Sequence, residues 1–193
     1  LRDPRDVARS CVSMGWAGNL WYGLDVWIEA EETWSELCAK VPPEKRLELI
    51  AEELVCDTRN QLERICRFIG TEYDSKMMDY VDDTTYSAPK PELTNQWKRK
   101  LSDREIRIIE SRVGDMLVER GYELSGLPMK KIGPLEKSWL FYHHKVSKWK
   151  FRIRRYGFGL FVADIISRKI PISEEIRNAI RRRFHAIEYG TLK

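Results

Sequence analysis

The chain has 193 residues, enough for one domain or one domain with an appendage. Hydrophobic residues make up 42% and charged residues 33%, a balance that allows a packed core and excludes wholesale disorder; no run of about 18 apolar residues is present, which excludes a spanning helix, and no signal peptide is visible. The net charge of +4 hides an asymmetry: residues 125–193 carry 16 Lys and Arg against 5 Asp and Glu, and the first 124 carry 18 against 25, so balances of +11 and −7 sit on one chain.

The first predicted element is a helix from Asp3 to about Met14. Asp3 is a good cap, Pro4 suits the first helical position, and Asp6 favours the positive end. Gly15 and Gly18 then punctuate the chain. A second helix is predicted from Asn19 to Ala39, with Leu20, Leu24, Trp27, Ile28, Trp34 and Cys38 on one stripe. Pro42-Pro43 ends it. The segment RLELIAEELV, 46–55, begins with alternation and reads as a strand running into a loop. Asp57 caps a helix bearing Leu62, Ile65, Cys66 and Ile69, which Gly70 closes. A short helix is expected near 74–80, and residues 82–95 read as loop. The SDRE run, 102–105, is a capping box opening a helix with Ile106, Ile109, Val113 and Leu117 inward. Gly121 stops it.

In the basic part, Leu135, Trp139, Tyr142, Val146, Trp149, Ile153 and Tyr156 recur at spacings of three and four. That pattern predicts a long helix, although WKFRIR, 149–154, also alternates with period two. Gly157 and Gly159 interrupt it. A short apolar helix runs on to about Ser167, and Ser173 caps a last helix with Ile176, Ile180, Phe184 and Ile187. Four cysteines, Cys11, Cys38, Cys56 and Cys66, form no C-x-x-C pair and read as buried thiols in a reducing compartment, hence a cytoplasmic location. His143, His144 and His185 have no carboxylate or thiol at ligand spacing, so no metal is expected.

The opening stretch, LRDPRDVARS, holds the strongest chemical signal. A helix N-terminus attracts anions. Arg2 lies just before the cap, with five fixed donors suited to phosphate oxygens. Ser10 lies two turns on, roughly 10 Å up the helix by its rise per residue. A phosphate beside the helix could touch both; equally, the pair reads as a surface arginine and an ordinary helix serine.

RDPRDVARS resembles the 3′-phosphate-binding segment of sulfotransferases that use 3′-phosphoadenosine 5′-phosphosulfate (PAPS). In that family an Arg and a Ser eight positions apart grip the 3′-phosphate, which implies this role for Arg2 and Ser10. The likeness continues in order. LELIAEELVCDTRNQLERICRFIG is similar to the family's strand, acidic turn and following helix, with Glu52 and Glu53 as the acidic pair. DDTTYS is similar to the segment that contacts the adenine, which implies Thr84 and Tyr86. NQWKRKLSDREIRIIESRVGDMLVERGY resembles the closing block, with Trp97 in register. The similarity spans about residues 1–124. Ala51 stands where the family often has a Tyr against the adenine. The Arg-Lys-Gly motif that completes the 3′-phosphate site is absent, and Lys90, followed by Pro91 and Glu92, takes the place of its Arg. The divergent, bacterial-like branch often lacks that motif.

What the resemblance implies is an α/β fold of the P-loop-like sulfotransferase type. Nothing here matches the family's 5′-phosphosulfate loop or supplies its general base. The expectation is therefore a C-terminal portion, mostly helical with two or three parallel strands, inactive alone and with its catalytic residues upstream. Residues 1–124 would be part of the sulfotransferase domain and 125–193 a basic, aromatic-rich helical extension. The implied activity is transfer of a sulfuryl group from PAPS to a hydroxyl or amine of a small-molecule, lipid or carbohydrate acceptor, without a metal. The alternative is a non-catalytic basic module. In either case the basic helices have three readings: they dock on the domain with the apolar stripe buried, lie peripherally on an anionic membrane through residues 134–189, or hold a polyanion. No recognised nucleic-acid motif accompanies the interleaved cations and aromatics.

Overall fold

The computed structural model describes residues 1–79 and 88–191, the side chain of Thr191 excepted. The first helix, α1 (Pro4–Ser13), forms as expected. The Asp3 carboxylate accepts the Arg5 backbone N–H, and Pro4 occupies the first turn. It ends where Gly15 takes φ +76, which lets the Trp16 and Ala17 N–H groups turn back onto the Cys11 carbonyl at 2.9 and 3.0 Å. The helix predicted over 19–39 is two: α2 (Leu20–Gly23), capped by the Asn19 side chain, and α3 (Asp25–Lys40). Trp27 and Leu24 are buried, but Trp34 and Cys38 are only half-buried, because α3 runs past the end of what it packs on.

The expected α/β fold is corrected: among the described residues there is no strand, and the architecture is helical. The predicted strand over 46–55 divides. Arg46 and Ile50 have extended dihedrals, but α4 (Ala51–Cys56) is helical, with Glu52 and Glu53 favouring its positive end. The Leu1 nitrogen donates to the Leu49 carbonyl at 2.7 Å, and the Ala51 N–H donates to the Leu1 carbonyl at 2.7 Å. That is the bonding of a single parallel rung. A ladder needs successive rungs, and here Asp3-Pro4 on one side and Ala51 on the other turn at once into helix.

The next helix, α5 (Thr58–Ile69), closes on Gly70 at φ +76. A 3₁₀ turn covers Ser75–Met78 and another Pro91–Leu93. Beyond α6 (Trp97–Lys100), α7 (Asp103–Glu119) starts on its capping box: the Glu105 carboxylate accepts the Ser102 N–H at 2.9 Å and its hydroxyl at 2.7 Å. All four residues expected to face inward from α7 are buried, and Ile109, Val113 and Leu117 join Ala8, Leu24 and Trp27 in the core. Each such side chain contributes about 1.5–3 kcal/mol through the area removed from water.

The basic part forms α8 (Pro134–Tyr156), α9 (Phe158–Lys169) and α10 (Glu174–Thr191). The long helix is as expected, but its orientation is not. It docks through Leu140, His144 and Phe151. The Leu140 carbonyl accepts from the Asn19 amide at 2.7 Å, and the Gly18 N–H donates to His144 Nδ1 at 3.2 Å. A Cβ on Gly18 would lie 2.1 Å from the His144 carbonyl oxygen, and one on Gly15 would overlap the Phe151 ring at 2.2 Å. These two glycines let α8 sit directly on the turn after α1. Of the stripe expected to be buried, only Ile153 and Tyr156 are half-buried, and the rest faces outward. Leu135 is 89% exposed and Trp149 56%, with Trp139, Tyr142 and Val146 also exposed. Of the four thiols, Cys11 and Cys66 are buried, Cys38 is half-buried and Cys56 is exposed; all four are free. Among the described residues no helix is long and apolar enough to cross a membrane.

Candidate functional site

The site is organised by the first turn of α1, where Pro4, Arg5, Asp6 and Ala8 are buried together. Arg5 lies at its centre. Its Nη2 meets Asp3 at 2.7 Å, and its Nη1 meets Glu110 at 2.9 Å and the Glu123 carbonyl at 3.0 Å. Its guanidinium lies 3.6 Å from the centre of the Trp97 ring. Glu110 in turn accepts the Ser125 N–H at 2.9 Å and its hydroxyl at 2.7 Å. Buried charges are tolerated only when paired and hydrogen-bonded in this way. Asp6 accepts the backbone N–H groups of Trp97 at 2.7 Å and Gln96 at 3.1 Å, and Arg9 donates to the Gln96 side chain at 2.7 Å. Burial raises the Asp6 pKa, against the pull of those hydrogen bonds and of the Arg2 charge. These contacts tie residues 90–97 to one flank of α1.

Glu52 ties α4 to the same helix. It accepts the Asp3 N–H at 3.0 Å and the Tyr122 hydroxyl at 3.2 Å. Burial, together with the Glu52 charge, pushes the Tyr122 pKa far up, so its hydroxyl remains a donor. Glu53, the other half of the acidic pair, lies at the exposed edge, with Gln61 at 3.4 Å.

Arg2 and Ser10 flank this framework. Arg2 is exposed and its carbonyl accepts the Trp27 indole N–H at 2.9 Å; its guanidinium has no hydrogen bond or ion pair among the described residues. Ser10 is half-buried, and its hydroxyl meets only the Met14 sulfur, at 3.9 Å. The two side chains do not bond each other. The donors at the mouth of α1 are not spare: Asp3 takes the Arg5 N–H, while the Asp6 and Val7 N–H groups bond the Asp3 carbonyl at 3.1 Å. The first turn of α1 therefore offers no unpartnered N–H among these groups. Lys90 is exposed at the start of the Pro91–Leu93 3₁₀ turn, which packs against α4. Thr84 and Tyr86 lie outside the described residues. Among the described residues no three His, Cys, Asp or Glu side chains group as a metal site.

The spacing in this flank is what a family model recognises. Residues 1–75 match the sulfotransferase family. The matched segment covers α1 to α5, including Arg2, Ser10 and the Glu52–Glu53 pair, and the likeness suggests sulfuryl transfer in general. Lys90 and Trp97 fall beyond it. No curated protein and no solved structure matches the chain.

Sequence reasoning missed the residues that build this framework: Arg5, Asp6, Arg9, Gln96 and Glu110. A signal was present. Three charged residues crowd the first turn of a helix in DPRD, which is more charge than a capped surface helix needs.

Proposed function

We propose that this chain supplies the 3′-phosphate clamp of a sulfotransferase that takes its sulfuryl group from PAPS and passes it to a hydroxyl or amine. The observation that carries this reading is the contrast between arginines on one helix. Arg5 and Arg9 are consumed by the framework, while the Arg2 guanidinium and the Ser10 hydroxyl beside them have no strong partner. Guanidinium and hydroxyl are the donor chemistry a phosphate monoester takes. In the proposed complex, Arg2 neutralises the 3′-phosphate and Ser10 donates a second bond from α1. Lys90, with Thr84 and Tyr86, completes the nucleotide side. The chain's part in the reaction is to bind and orient the nucleotide, from which in-line group transfer gains most of its rate; the general base and the groups around the 5′-phosphosulfate are not assigned.

The test is calorimetry with 3′,5′-adenosine bisphosphate against 5′-AMP, which lacks the 3′-phosphate. Losing a charged hydrogen bond costs about 1.5–3 kcal/mol, so Arg2→Ala is expected to weaken the bisphosphate by roughly 10–100-fold and to leave 5′-AMP unchanged. Equal affinity for the two nucleotides in the parent chain overturns the reading.

A second reading rests on a separate observation, the outward face of α8. Trp139, Tyr142, Val146 and Trp149 are exposed along about 15 Å of helix, with Lys145 and Lys150 at its margins. Aromatic side chains flanked by lysines suit an anionic membrane surface. Flotation with phosphatidylserine vesicles is expected to capture the chain, and Trp139→Ser with Trp149→Ser to release it. Equal flotation of parent and double variant removes this reading.

A further inference from the structure

A groove of about 950 Å³ lies between α8, α9 and α10 and the turn after α1, away from Arg2. Its walls carry Arg152, Arg155, Arg168, Arg177 and Arg181, and among the described residues the carboxylates lining it are Asp164 and Glu188. Asp164 is already shared: it accepts from Arg152 at 2.7 Å and from Arg168 at 3.1 Å. Glu188 accepts the Tyr156 hydroxyl at 3.0 Å. Arg177 and Arg181, one turn apart on α10 and about 6 Å along its axis, have no hydrogen bond or ion pair from their side chains among the described residues.

The walls are built and not merely charged. Asp164 is buried and fixes the Arg152 guanidinium, which lies 5.7 Å from the Phe161 ring and 6.0 Å from the Phe184 ring. Tyr156 packs on Phe184 at 4.5 Å, joining α8 to α10. Positive charge gathered in a concave site concentrates the field.

We infer that this groove is a binding site for a small polyanion, a molecule carrying two or more phosphate or sulfate groups. Arg177 and Arg181 contact it directly, Arg152 and Arg168 line its path, and the Phe184–Tyr156 rings form the floor. Arg177 and Arg181 provide fork-shaped donors that match the oxygens of each group. This site is separate from the proposed nucleotide clamp and does not depend on it.

The test is calorimetry with inorganic pyrophosphate at physiological ionic strength, on the parent, on Arg177→Gln/Arg181→Gln, on Arg182→Gln/Arg183→Gln and on Arg2→Ala. The first pair is expected to weaken binding about tenfold or more. The second pair, equal in charge removed but outside the groove, and Arg2→Ala are expected to keep the parent's affinity. Equal losses from both double variants mean diffuse attraction and overturn the site, as does loss on Arg2→Ala alone, which assigns the anion to the nucleotide clamp. Thermal melts check that each variant is folded. Vesicles containing phosphatidylinositol 4,5-bisphosphate then separate the sources. Capture that falls with the first pair assigns a lipid headgroup; no capture beside intact pyrophosphate binding assigns a free anion.

Discussion

Arg5 shows how one side chain joins distant parts of the sequence. It is 2% exposed and links the cap of α1 to Glu110 on α7 and to the ring of Trp97. Removing the cation leaves Asp3 and Glu110 buried without it, a loss of about 3–5 kcal/mol. Arg5→Met is therefore expected to lower the urea midpoint sharply, and Arg5→Met/Glu110→Met to recover part of the loss. An unchanged midpoint in the single variant shows that packing alone holds α1 to α7. His144 gives the residue-scale pH dependence. Burial lowers its pKa, Lys148, Lys145 and His143 act in the same direction, and Asp25 opposes them. The unfolded chain takes up a proton below about pH 6.5 that the folded chain resists, so this contribution is full above that value and lost as the pH falls towards the folded pKa. The gap between melting temperatures at about pH 7.5 and about pH 5 is expected to narrow in His144→Asn, whose amide oxygen can still accept from Gly18. An unaltered gap assigns the acid sensitivity elsewhere. The cap at Asp3 and Pro4 was readable because capping is a local property of the sequence. Arg5, Glu110 and Gln96 were not, because their pairing spans sequence separations of about a hundred residues that no local pattern encodes.

Among the helices, contact distance at the glycines decides what can change. A Cβ on Gly23 would stand 2.6 Å from the Ala8 carbonyl oxygen, so α1 and α2 must separate to admit it. Overpacking of this kind costs about 1–3 kcal/mol, offset in part by the better helix propensity of Ala, worth about 0.8–1 kcal/mol. Gly159, in the first turn of α9, meets nothing within 4 Å. Gly23→Ala is expected to lower the melting temperature and Gly159→Ala to leave it level or raise it. A rise in both means that propensity outweighs the close approach at Gly23. Helices were readable at this scale wherever a cap and a period agreed, as at Asp3 and Ser102. The face that α8 buries was not. A stripe of Leu and Trp announces an amphipathic helix, but its partner lies over a hundred residues away, and the contact is set by Gly15 and Gly18, where small size and not hydrophobicity decides the approach. The strand read from 46–55 failed for a related reason: alternation over RLELI can describe extended chain, but a sheet also needs a neighbour in register.

Across the whole chain, the two charge balances coincide with two kinds of packing. α1, α3 and α7 share a buried apolar cluster, with the Arg5 ion pairs buried beside it. α10 has no fully buried residue among those described; it rests on α8 through Tyr156–Phe184 and Tyr156–Glu188 and also lies against α9. Opening free energy follows buried contact, so different parts of one protein exchange amide hydrogen at very different rates. In hydrogen exchange read by mass spectrometry, α7 is expected to be the slowest element and α10 the fastest of the long helices. If the groove takes a polyanion, pyrophosphate should slow α10 selectively, because the anion bridges arginines on α8, α9 and α10 that otherwise repel one another. Protection of α10 equal to that of α7 without any anion means that the helix is held by packing, and the charge in the groove has no part in its stability.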